Sequence, residues 1–188
     1  MGKWIVIGLF LVAVIFVWGS YAGLVGARNT VDKKIGDVGT VEQFRLDTIP
    51  KFVKTAQFSA DFQVRLQREY VQGREGINSA LATGNAGALQ KAANDAFGAM
   101  MISVRAEAVP QAKTDQLTEL NAQVENAERV VRHERQAYNT AVLDYNNKVQ
   151  IPPSNLIALL FGFQTREFFK AEPGAEKSPD FNLNLDKK

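Results

Sequence analysis

The sequence predicts an all-α protein: an N-terminal transmembrane helix continuing into an elongated antiparallel bundle of three to four long helices. Three observations carry this. Residues 4–27 form a 24-residue stretch without a charge. Beyond it, apolar residues recur at spacings of three and four, the period of one helical face. No stretch shows the apolar–polar alternation of a half-buried strand.

Composition sets the outer limits. Of 188 residues, 46% are hydrophobic and 22% charged, enough for one domain with a core once a membrane segment is set aside. The net charge is +2, and Lys and Arg alternate with Asp and Glu. No basic stripe forms, so nucleic acid is not an expected partner. Cysteine is absent, which removes disulfides, thiolate metal sites and cysteine nucleophiles together.

The apolar run begins Trp4-Ile5-Val6-Ile7 and is bounded by Lys3 and Arg28. A helix of that length reaches roughly 36 Å, against a hydrocarbon core about 30 Å thick. Trp4 marks one end and Trp18 with Tyr21 the other, as interfacial aromatic belts do. Residues 4–26 are read as one membrane span, with 1–3 as a short flank. A cleaved signal peptide is the competing reading, with Ser20-Tyr21-Ala22 as its small-x-small site, but the apolar run is long for one. Lys3 precedes the span, whereas Arg28, Lys33, Lys34 and Arg45 follow it. The positive-inside rule therefore leans toward a cytoplasmic C-terminal domain on a single-pass protein of the bacterial cytoplasmic membrane.

Residues 27–162 are assigned to the helical bundle. Leu24, Val31, Ile35, Val38, Ile49, Phe52 and Ala56 follow heptad spacing, with Arg28, Glu42 and Arg45 in the gaps. Polar residues on such a seam fix register or partner choice, so Arg28, Val31, Ile35, Val38, Glu42 and Arg45 are the candidate interaction seam; snorkelling of the charged members to its edge is the alternative. Pro50 is expected to bend this helix near residues 46–50. Beyond the bend, Phe58, Phe62, Leu66, Tyr70, Ile77 and Leu81 continue a helical face. Gly36 and Gly39 lie off the seam, either as positions without a side chain or as places of close helix approach.

Thr83-Gly84-Asn85-Ala86-Gly87 reads as a helix stop and turn. The next helix, about 88–108, carries Leu89, Ala93, Phe97, Met100, Met101 and Val104, and Pro110 ends it. Another follows over 113–149, with Thr114 as its candidate cap and Leu117, Leu120, Val124, Ala127, Val131, Tyr138, Val142, Tyr145 and Val149 on one face. Ile151-Pro152-Pro153 stops it. Ser154 is then placed to cap a short helix, Asn155 to Phe161, closed by Gly162. Residues 163–188 contain Pro173, Gly174 and Pro179 and no helical period. They are read as an extended strap and tail, anchored by Phe168, Phe169 and Phe181.

Chemistry-bearing patterns are few. His133 is the only histidine, without a Glu-x-x-His partner set, and is read as a solvated surface residue. No nucleophile elbow and no Gly-Lys-Ser/Thr phosphate loop occurs. Glu119, Glu125 and Glu128, with Arg129, Arg132 and Arg135, fall at ladder spacings and are read as a salt-bridged helix surface. No catalytic residue, cofactor or metal is assigned, and the chain is not expected to be an enzyme.

Two segments resemble the LemA family of bacterial membrane proteins. The first, from Tyr21 to Ala56, carries Tyr21, Leu24-Val25, Arg28 and Ile49-Pro50. The second, from Leu117 to Phe163, carries Glu125, Glu128-Arg129, Tyr138-Asn139, Tyr145-Asn146 and Gly162-Phe163, followed by Phe168-Phe169. Where the family has an Arg-Arg pair before Ile-Pro, this chain has Phe44-Arg45. The resemblance implies an N-terminal anchor, an antiparallel helical bundle and no assigned enzymatic activity. Members often occur beside a membrane zinc metalloprotease.

These readings point to a membrane-anchored scaffold. Its expected partners are lipid, further copies of itself and another envelope protein, with no small-molecule substrate. A regulatory or sensor subunit hinging at Pro50, serving an envelope protease or signalling system, is the alternative.

Overall fold

Among the described residues the chain forms five helices and no strand: α1 (Gly2–Thr55), α2 (Ala60–Thr83), α3 (Ala86–Ala108), α4 (Thr114–Gln150) and α5 (Ser154–Leu160). The computed structural model describes the backbone of residues 2–108 and 114–170, and their side chains except at 108 and 114–117. Expectations for Pro110, Leu117, Pro173, Gly174, Pro179, Phe181 and the capping side chain of Thr114 lie outside the described residues.

Helix α1 has 54 residues, a length of roughly 80 Å. Among the described residues its first part is largely uncovered: Trp4 is 78% exposed, Ile15 70% and Trp18 75%. It is the one described helix long and apolar enough to cross a membrane. From Leu24 onward one face is buried, through Val31, Ile35, Val38, Leu46, Ile49, Phe52 and Val53.

Pro50 lies inside the helix, which continues past it to Thr55. Proline removes one backbone hydrogen bond. Ile49, Phe52 and Val53 around it are almost fully buried, and that apolar burial holds the extra turn in place. The chain instead reverses just after Thr55, where Gln57 takes φ +57°. Ser59 then caps α2, its hydroxyl accepting from the Phe62 amide at 3.3 Å.

The face from Phe58 to Leu81 thus belongs to a separate, antiparallel helix. Tyr70 donates to Asp47 at 2.7 Å and Gln43 to Asn78 at 2.7 Å, so rising numbers on α2 meet falling numbers on α1. Gly39 sits so close to the Leu81 side chain that a β-carbon there would collide with it. This is the close helix approach expected of Gly39, but within one protomer. Gly36, by contrast, faces open space.

Gly84 closes α2 at φ +64°, a left-handed conformation that glycine adopts without steric cost. Asn85 caps α3 by accepting from the Ala88 amide at 2.7 Å, so α3 opens two residues ahead of the expected position. Helix α4 returns along α1, with Arg45 beside Glu128 and Lys148 beside Gly23. Ser154 lies inside the first turn of α5 and is not its cap; its hydroxyl donates back toward the carbonyls of Lys148 at 2.7 Å and Ile151 at 3.1 Å. Gly162, at φ +70°, ends the element as expected. Residues 163–170 then run extended beside α4.

Candidate functional site

Heptad spacing places the seam residues on one stripe of α1, and the structure turns that stripe inward. Val31, Ile35, Val38 and Glu42 are 6% exposed or less, and Arg45 8%. They face α4 and α3 of the same protomer, which corrects the reading of this seam as a surface for a second chain. A coiled-coil seam and the core stripe of an antiparallel bundle share one period, so spacing alone does not separate them. Arg28 is the exception: it is exposed, with its guanidinium 5.7 Å from the Phe163 ring.

Four charges meet inside the bundle. Glu42 accepts from Arg45 Nη1 at 3.2 Å and from Arg135 Nε at 3.0 Å. Arg45 also pairs with Glu128 and donates to Asn94 at 3.1 Å. Its guanidinium carbon lies 4.0 Å from the centre of the Phe97 ring. Two carboxylates and two guanidiniums cancel, so the interior holds a neutral quartet instead of a lone charge. The spacing that reads as a salt-bridged outer surface of α4 instead turns two of its members inward, Glu128 toward Arg45 and Arg135 toward Glu42. Glu125, Arg129 and His133 remain on the exposed side of α4.

The Tyr138-Asn139 and Tyr145-Asn146 pairs do a second job. Asn146 donates to the Arg166 carbonyl and accepts from the Arg166 amide, both at 2.9 Å. Asn139 does the same to Phe169, at 3.1 and 2.9 Å. Tyr145 donates to the Gln164 carbonyl at 2.8 Å and Tyr138 to the Glu167 carbonyl at 3.0 Å. Gln90 of α3 continues the pattern on Lys170, at 2.9 and 3.2 Å.

The spacing explains the repeat. Seven residues of helix rise about 10.5 Å, and three residues of extended chain span about 10 Å, so successive pairs on α4 meet every third residue of the strap. The side-chain amides supply the partners that a neighbouring strand would supply in a sheet. Phe169 is buried and stacks edge-on against Tyr138 at 4.9 Å, whereas Phe168 stays 40% exposed and is not the anchor expected. Burial pushes the Tyr138 hydroxyl up to about 12 and raises that of Tyr145, keeping both phenols protonated as donors.

The membrane-belt residues fall where the uncovered part of α1 begins and ends. Tyr21 is packed by Phe161 at 4.8 Å and by Phe163 at 5.8 Å. Gly162 turns the chain so that Phe163 reaches both Tyr21 and Arg28.

Comparison with known proteins gives one result. The sequence model of the LemA family matches residues 34–182, a range that takes in the quartet and the Tyr-Asn pairs. No curated protein matches the chain.

Proposed function

The chain belongs to the LemA family, and on that premise we propose that it is a membrane-anchored helical scaffold. The apolar part of α1 holds it in the bilayer, and the four-helix bundle stands on the cytoplasmic side as a rigid presenting body. The observation that carries this is a rod of large apolar side chains, from Trp4 to Trp18, uncovered in a protein whose remaining interior is packed. Transferring such a rod from water to lipid is favourable by about 0.8 kcal/mol per methylene group.

We assign the protein to binding and not to turnover, because its interior carboxylates Glu42 and Glu128 are each held by arginine in ion pairs. Contact between copies runs through the uncovered rod, since the heptad stripe beyond it is occupied by α4. Rigidity is the property the scaffold reading needs, and one helix continuing from the rod into the bundle supplies it.

Membrane fractionation of the full chain tests the anchor. The protein is expected to stay with membranes through high salt and alkaline carbonate; release by either contradicts the reading. Cross-linking in native membranes tests self-association, with a ladder of multiples expected and monomer alone opposing it. Protease protection in sealed vesicles tests which face carries the bundle.

A further inference from the structure

A second apolar element lies beside the rod. Between Lys148 and Arg166 the chain runs seventeen residues without a charge, 149–165. Only Ile157 and Ala158 of α5 are buried, against Leu24. Among the described residues the other apolar side chains of α5 and its flanks are open: Ile151 is 54% exposed, Leu156 65%, Leu159 82%, Leu160 72% and Phe161 51%. Water is a poor solvent for such a patch on a helix of seven residues.

The position of α5 identifies its occupant. Ser154 shares a surface hollow with Ile15, Phe16, Gly19 and Ser20, and Phe161 stacks on Tyr21. The element therefore lies at the depth of α1 residues 15–24. Charge returns within one band on all three passes of the chain, over α1 residues 23–32 or about 14 Å: at Arg28 on α1, at Lys148 on α4 beside Gly23, and at Arg166 on the strap beside Asp32. A common boundary on three separate passes is what a bilayer surface imposes.

We propose that α5 is a second membrane element, a short foot whose Leu156, Leu159, Leu160 and Phe161 insert among the lipid acyl chains next to the span. The proposal rests on the anchoring reading above, because α5 shares the depth of the α1 rod. Ile157 and Ala158 clamp the foot to the rod, and Lys148 with Arg28 lies at the level of lipid phosphates. The anchor is then two-pronged, which fixes the rotation of the bundle about α1 as well as its height.

The cysteine-free sequence allows a direct test with single thiols in the full chain, reconstituted in vesicles of phosphatidylcholine and phosphatidylglycerol. Leu159→Cys, Val12→Cys and Ile102→Cys are each labelled with bimane, and the lipids carry bromine near the head-group end of their chains in one preparation and near the methyl end in another, so that both the shallow 159 and the deep 12 have a quencher at their level. The label at 159 is expected to be quenched by brominated lipid. Its unlabelled thiol is expected to react with a water-soluble maleimide roughly tenfold more slowly than that at 102. Leu160→Cys repeats the measurement at a second open position.

A label at 159 that is unquenched and as reactive as that at 102, while the label at 12 is quenched, overturns the foot and leaves the anchor standing. A thiol at 159 that forms a disulfide with a second copy and is not quenched by lipid also overturns it, in favour of a protein contact. If the label at 12 is not quenched, the anchoring reading itself fails.

Discussion

Glu42 sits 1% exposed between two arginines, and Glu42→Gln isolates the effect of its charge. The substitution keeps the shape and one carbonyl oxygen. Whichever way the amide turns, its nitrogen faces a guanidinium that had been accepted by a carboxylate oxygen. The quartet then carries one uncancelled positive charge. Removing one partner from a buried pair costs roughly 3–5 kcal/mol. The lower end applies here, because the Glu128 and Arg135 side chains are each 16% exposed and water relieves part of the imbalance. For a chain of this size each kcal/mol moves the melting temperature by about 2–4 °C, so a fall of roughly 6–12 °C is expected by circular dichroism in detergent micelles. Adding Arg135→Gln restores neutrality with the Arg45–Glu128 pair intact, and the double variant is expected to be at least about 1 kcal/mol more stable than the two single effects sum to. A Glu42→Gln protein within about 0.5 kcal/mol of the original, or a strictly additive double variant, refutes the quartet as a coupled unit.

Three further outcomes follow from the geometry. Asn146→Ala strips both hydrogen bonds from Arg166, at about 1 kcal/mol each. Amide exchange over 164–169 is expected to speed up by roughly 30-fold while α2 and α3 stay protected; unchanged exchange there contradicts the ladder. The raised folded-state values of Tyr138 and Tyr145 mean that their contribution is complete below the unfolded value near 10 and is lost as pH rises above it, for Tyr138 toward about 12. Strap protection, taken relative to the base-catalysed exchange of free amides, is therefore expected to fall across that window, and Tyr138→Phe together with Tyr145→Phe is expected to flatten the dependence; protection unchanged up to pH 11 opposes it. At Gly73 an added β-carbon would lie 2.8 Å from that of Ala96 and 3.1 Å from Leu46. Gly73→Val is expected to cost about 2 kcal/mol in chemical denaturation, and a stabilised variant would mean α2 stands further from its neighbours.

Which parts of this architecture were legible beforehand follows from what periodicity can encode. The three–four spacing identified the buried face of α1 from Leu24 to Phe52 and that of α4 from Leu120 to Tyr145, because each helix buries one stripe. It could not say whether the partner of that stripe was the same chain, so the seam was assigned outward and Glu42 and Arg45 with it. Pro50, as proline the strongest local breaker, marked no helix end. The actual reversal, Ala56 to Ser59, contains neither proline nor glycine. Its one signal was Ser59 followed by Asp61, an N-cap with an acidic first turn.

The strap ladder was half visible. Tyr-Asn recurs seven residues apart on α4, a two-turn spacing that places both pairs on one face. What could not be read was the extended segment that meets it, since main-chain recognition leaves little mark on the side chains recognised. Glu128 and Arg135 were assigned to solvent for a related reason: a charge at i,i+7 looks the same in a surface ladder and in a satisfied interior network. The charge-free stretch 149–165 was on view throughout, and only the packing of α5 against residues 15–24 of α1 gives it a depth.

The central claim is that one helix leaves the lipid and enters the bundle without a break. Nitroxide labels on Val12→Cys and Lys33→Cys, in the full chain reconstituted in vesicles, test it by pulsed electron spin resonance. A rise of 1.5 Å per residue places the two backbone sites about 32 Å apart, and a single narrow distribution near that distance is expected. A broad distribution, or one centred well below it, would mean that the rod and the bundle are joined by a hinge, and the rigid scaffold would fall with it.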